Sequence, residues 1–195
     1  MMQIHFQFDT EKSIQAIAYL LNALGGSEDK RKLMKLLYRA ERDHFLRFGR
    51  PITGDSLCAL PLGPVPSGAM DLINGNYEPQ VPTYVHFQVN NNTVVLTENP
   101  GDARLDASDK EILHQIVQEH GDKHADEVQR EAHGLPEYRE AYPHDSWTSK
   151  PIPYELILSL YHGGDPSKFR HGRPVISPTM ASEMACPFPS SNANL

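Results

Sequence analysis

Residues 28–48 read EDKRKLMKLLYRAERDHFLRF. Leu33, Met34, Leu36, Leu37, Tyr38, Ala40, Phe45 and Phe48 are spread along this stretch at helical spacing. At about 100° per residue they cover more than half of a helix's circumference, which predicts a central helix rather than a surface one. The remaining arc holds Lys32, Lys35, Arg39 and Arg42, a basic stripe expected to face solvent. Ser27 is the expected cap, with Glu28 and Asp29 in the favourable first turn. Gly49 and then Arg50-Pro51 end the helix, because proline disfavours the helical region for the residue before it.

Working outward, Ile14, Ile17, Ala18, Leu21 and Leu24 predict an amphipathic helix over 10–25, capped by Asp9 or Thr10 and stopped by Gly25-Gly26. After the central helix, Ser56–Leu60 reads as a short strand. LPLGPVPSG, residues 60–68, follows it with three prolines and two glycines. Proline fixes φ and lacks a backbone donor, so this corner can neither continue a central strand nor sit inside a helix. A short helix to about Asn74 comes next. Tyr84–Val89 and Thr93–Thr97 flank Asn90-Asn91-Asn92, a hairpin by residue type and turn chemistry. Ser108 and Glu111 form an S-x-x-E capping box before Ile112, Leu113, Ile116 and Val117. Two further helices are expected, over about 122–132 and 153–162. From Gly163 the chain turns Pro-rich and polar without periodicity, the pattern of a flexible tail, though Val175, Ile176, Met180, Met184 and Phe188 are scattered through it.

The expected fold is therefore α+β, predominantly helical. It is a single domain over 1–162 with a small antiparallel sheet built from the hairpin and the short strand, and a tail over 163–195.

Composition bounds the function. The chain has 195 residues and a formal net charge of -7. An acidic balance argues against a nucleic-acid partner, since phosphate backbones are bound through clustered Lys and Arg. No apolar run reaches the about 18 residues that a membrane span needs, and no basic-then-apolar leader is visible at the start. Cys58 and Cys186 stand far apart with no CxxC spacing, which gives no disulfide framework and fits a reducing cytoplasm.

No catalytic motif is present. Cys58 lies among apolar neighbours in SLCAL and reads as a small buried hydrophobe rather than a nucleophile. His120 and His124 are spaced for one face of a helix, but Gly121 between them reads as a helix end, so no metal site is expected. There is no P-loop, GxSxG or dinucleotide fingerprint. Neither an enzyme nor a cofactor is expected. The basic stripe reads either as a solvated helix face or as a docking face for an acidic partner.

Residues 33–68, LMKLLYRAERDHFLRFGRPITGDSLCALPLGPVPSG, resemble the Panacea domain of SocA-like antitoxins. The carrying residues are Lys35-Leu36-Leu37-Tyr38, then Gly49-Arg50-Pro51-Ile52-Thr53-Gly54-Asp55, Ala59, and Gly63-Pro64-Val65. Downstream, Glu131–Tyr138 is similar to a family helix end that carries a histidine, here His133, and an aromatic for which Tyr138 and Trp147 are candidates. Pro151–Ile157 fits the closing helix. The resemblance covers about residues 11–162.

It implies a cytoplasmic antitoxin that neutralises a protein toxin by direct binding, without catalysis, cofactor or metal. The implied partner-binding residues are Lys32, Lys35, Tyr38, Arg39, Arg42, Asp55, Gly63, Pro64, Val65 and His133. Two alternatives stay open: an adaptor that delivers the toxin to a AAA+ protease, and a DNA-binding autoregulator.

Overall fold

The structure is a computed structural model and describes residues 4–76, 86–142 and 148–165. Tyr84, Val85, Trp147 and the chain after Asp165 lie outside the described residues. The described elements run α1 (Thr10–Ala23), β1 (Ser27–Asp29), α2 (Lys30–Phe48), β2 (Leu57–Leu60), β3 (Gly63–Pro66), α3 (Ser67–Asn74), β4 (Phe87–Asn90), β5 (Thr93–Leu96), α4 (Ala107–His120), α5 (Ala125–His133), α6 (Pro136–Ala141), β6 (Lys150–Pro151) and α7 (Tyr154–His162). The fold is α+β and mostly helical.

The apolar circumference of α2 is explained by two cores. Leu33, Leu36, Leu37 and Ala40 pack with Ile14 and Ile17 of α1 and with Ile112, Leu113 and Ile116 of α4. Tyr38 and Phe45, turned another way, pack with Leu57, Tyr138, Tyr154 and Ile157. A helix between two cores needs apolar residues over more than half of its circumference, which is what the sequence supplies. At its C-terminus Gly49 takes a left-handed φ of 76° while its N–H bonds the carbonyl of Phe45. That backbone region favours glycine, so the stop is sharp.

The start of α2 differs from expectation. Asp29, not Ser27, is the cap, accepting from the N–H groups of Arg31 and Lys32 at 2.8 and 3.2 Å. Ser27–Asp29 is instead strand β1, paired antiparallel with β5. A strand of three residues carries no readable alternation, and only its remote partner reveals it. The cap of α4 also moves: the capping box is Asp106 with Asp109, not Ser108 with Glu111. Glu111 is drawn away to Arg47, at 2.6 Å.

The expected sheet is two sheets. One has the order β1-β5-β4, the other β3-β2-β6, each antiparallel. The hairpin β4–β5 pairs Asn90 with Thr93, leaving Asn91 and Asn92 as its turn, with Asn91 at a φ of 56°. The proline corner is itself a strand. Cys58 pairs with Val65 and Ala59 with Pro64. β3 lies at a sheet edge, the position where a strand tolerates prolines. Short α6 and β6 went unread, since six and two residues give no measurable period.

Candidate partner-binding site

The basic stripe of α2 is not on the surface. Lys32, Lys35, Arg39 and Arg42 are 5, 1, 7 and 9% exposed, which corrects the expectation of a solvent-facing stripe. The arc they occupy is covered by the α4–α5 turn, α5, α6 and α7; Arg39 and Arg42 meet carboxylates there, and Lys32 pairs with Glu28 of β1.

Lys32 Nζ lies 2.6 Å from Glu28 and donates at 2.7 Å to the carbonyl of Gly121, at the negative end of the α4 dipole. Arg39 meets Glu131 of α5 at 3.3 Å, and Glu131 also takes Lys123 at 2.6 Å and His120 at 3.1 Å. Arg42 meets Asp43 at 2.6 Å and the buried Glu137 of α6 at 3.4 Å. Glu137 further accepts from the Tyr38 and Tyr161 hydroxyls at 3.1 and 2.9 Å. Burial, reinforced by Glu137, holds the Tyr38 phenol well above its ordinary pKa.

Lys35 is the exception. Its ammonium is fully buried and has no hydrogen-bond partner among the described residues. Burial, with Arg31 adding to it, pushes its pKa down to about 7.

The GPV segment lies directly on this lysine. A Cβ placed on Gly63 would fall 2.8 Å from Lys35 Cε and 3.1 Å from His133 Cδ2, and Gly63 has a φ of +104°. The ring of His133 stacks on Tyr138 at 5.1 Å with 5° between planes. Tyr138 donates to the carbonyl of Leu60 at 2.8 Å and stacks on Tyr142 at 5.5 Å. Lys35, Gly63 and His133, spread over about half of the chain, therefore meet at one point. Val65 turns into the main core and is fully buried, and Pro64 pairs with Ala59 beside it.

Gly63→Ala is expected to destabilise the protein by about 1–3 kcal/mol, since alanine resists this φ and its methyl would press on Lys35. Urea unfolding of both proteins measures this. A change below about 0.5 kcal/mol would show that the corner yields freely.

Asp55 does other work. Its carboxylate accepts from the N–H groups of Gly68 and Ala69, each at 2.8 Å, and so anchors the start of α3. Burial raises its pKa to about 7 against the pull of those donors. Cys58 is buried in β2 and disulfide-bonded, which corrects the expectation of no disulfide and removes any nucleophile role.

Two groups of buried charge stand outside the expected site. Glu41 accepts from Thr53 through the backbone N–H at 3.0 Å and the hydroxyl at 2.7 Å, and burial pushes its carboxyl up to about 8. A carboxylate on the apolar arc of α2 was the available signal. His44, Asp106 and Asp109 lie within 4.8 Å of one another, a spacing that could hold a cation. Lys12 and Arg50 already lie 2.6 and 3.0 Å from Asp109, and Arg50 lies 2.5 Å from Asp106. The cluster is thus an ion-pair network with its positive charge supplied by the protein. His120 and His124 are parted as well: the first meets Glu131 and the second caps α5.

Residues 33–137 match the family model described as antitoxin SocA-like, Panacea domain, which is more than half of the 195-residue chain. No curated protein and no solved structure matches it. The matched span runs from α2 to Glu137, and so contains Lys35, the GPV strand and His133 together. The chain belongs to the SocA-like antitoxins of the Panacea-domain family.

Proposed function

We propose that this chain is the antitoxin of a toxin–antitoxin pair and neutralises its toxin in the cytoplasm by direct protein–protein binding. Family membership supports the antitoxin role. The observation that carries the binding site is the meeting of Lys35, Gly63 and His133 at the edge strand β3. A rigid corner of this kind loses little entropy on binding, which suits it to present a surface. Pro64, Val65, Tyr38 and the ion pairs of Lys32, Arg39 and Arg42 hold that corner in place, and Asp55 holds α3 behind it.

Neutralisation would proceed by covering the toxin's active site or fixing it in an inactive shape. Neither catalysis nor a cofactor is needed. Lys32, Arg39 and Arg42 are paired with carboxylates inside the fold, so these three offer nucleic acid little charge. No described helix is long and apolar enough to cross a membrane. In this reading residues 1–162 form the binding domain and 163–195 an appended Pro-rich segment.

Co-expression with the product of the adjacent gene is expected to restore growth and to yield a complex that survives purification. Failure of rescue with each neighbouring toxic gene would overturn the reading.

A further inference from the structure

Three of the four basic residues on the inner arc of α2 have a carboxylate within 2.6–3.4 Å, and the most deeply buried one has none. A buried ammonium without an anion is costly, and such an orphan in a native fold needs an explanation. Among the described residues, the nearby groups do not supply the anion. On α2 itself Arg31 adds positive charge. Facing from β3, Gly63, Pro64, Val65 and Pro66 carry no titratable group. From α5, Glu131 is divided among Arg39, Lys123 and His120, and His133 sits beside Gly63. From α6, Glu137 is taken by Arg42, Tyr38 and Tyr161, while the Tyr138 hydroxyl is spent on Leu60.

Gly63 has no side chain, so the backbone of an edge strand rests directly on the end of Lys35. Among the described residues, no strand lies on the outer side of β3. The Lys35 side chain therefore ends against the backbone of β3, whose four residues are buried, with the half-buried His133 beside it.

We propose that the Lys35 ammonium is the receptor for a carboxylate carried by the bound toxin, an Asp or Glu side chain that enters beside Gly63 as the ring of His133 turns aside. This rests on the reading that the chain binds a protein toxin. The toxin's carboxylate would complete the row of ion pairs along α2, and the complex would gain a charge pair shielded from solvent. Burying a previously unmatched charge against its counter-ion also rewards the right partner over one without an acid at that place.

The test uses the full chain labelled with 13C at the lysine ε-carbon, with and without the toxin identified by co-expression. Lys35 Cε is assigned by its loss in Lys35→Met. Saturating toxin should raise the Lys35 titration midpoint by about 1–3 pH units, the effect of an opposite charge in contact. Lys35→Met should weaken toxin binding by about 30-fold or more. An unmoved midpoint, or unchanged affinity of Lys35→Met, overturns the proposal while leaving toxin binding itself intact. Inorganic phosphate alone shifting the midpoint as far as the toxin does would also overturn it, since the site would then serve a free anion. If the wild-type chain binds no neighbouring toxin, the antitoxin reading fails and this proposal with it. The titration is read on the wild-type chain, so a poorly folded Lys35→Met would not spoil it.

Discussion

Glu137→Ala is expected to lower stability by about 3–5 kcal/mol, the usual cost of removing one partner of a buried ion pair. Glu137 is fully buried and joins three helices: it accepts from Tyr38 and Arg42 of α2 and from Tyr161 of α7, while itself standing on α6. Alanine would leave the Arg42 guanidinium with Asp43 alone and strand the buried Tyr38 hydroxyl. That orphaned hydroxyl adds roughly 1 kcal/mol or more. For a chain of this size the loss corresponds to a fall in Tm of roughly 6–20 °C. Glu140→Ala, an exposed change on the same helix, should stay within about 0.5 kcal/mol. Thermal and urea unfolding of the two variants decides the matter. A Glu137→Ala protein within about 1 kcal/mol of wild type would show that the junction does not hold α6 and α7 onto α2. The prediction also bears on the proposed site, because α6 carries Tyr138, on which His133 stacks.

The second large effect is one of pH. Glu41 is fully buried, and its carboxyl is pushed from 4.5 up to about 8, with burial as the chief cause. A raised folded pKa means that the native state keeps its proton while the unfolded chain has lost it. The stabilisation is complete below about pH 4.5 and is lost as the pH rises through about 8. Within that window the wild type should lose up to about 1.4 kcal/mol per pH unit from this group alone. Other groups titrate nearby: burial depresses His44 to about 4 and Lys35 to about 7, and raises Asp55 to about 7. The difference between wild type and Glu41→Gln isolates the one carboxyl. Glutamine can still accept from Thr53 but cannot ionise. At pH 5 the two proteins should be of similar stability, and by pH 8 the variant should be the more stable by several kcal/mol. Parallel stability–pH curves would sink the assignment.

Much of the fold was legible from local pattern. The apolar residues of α2 marked it as central before either core was known, because only a helix covered on several sides needs so wide a face. Asparagines at 91 and 92 marked a hairpin turn because that residue type tolerates the left-handed φ seen at Asn91. The prolines at 64 and 66 marked an interruption, and the interruption proved to be an edge strand, where a missing donor is tolerated. Gly63 and His133 were singled out by family pattern, while their contact with Lys35 could not be read from either segment.

What the sequence by itself determined is the set of residues that share each face, since helical and strand periods are properties of the local backbone. What only the tertiary structure decided is the surroundings of each face. Arg39 meets Glu131 and Tyr38 meets Glu137 across separations of 92 and 99 residues. A basic stripe looks the same in sequence whether water or a remote carboxylate lies opposite, so its burial was invisible. The same holds for β1, for the Asp106–Asp109 cap tied down by Lys12 and Arg50, and for the buried Lys35, which has no anion among the described residues. Charge is long-ranged and its cost depends on burial, which is set by the packing of the whole chain and by no single segment of it.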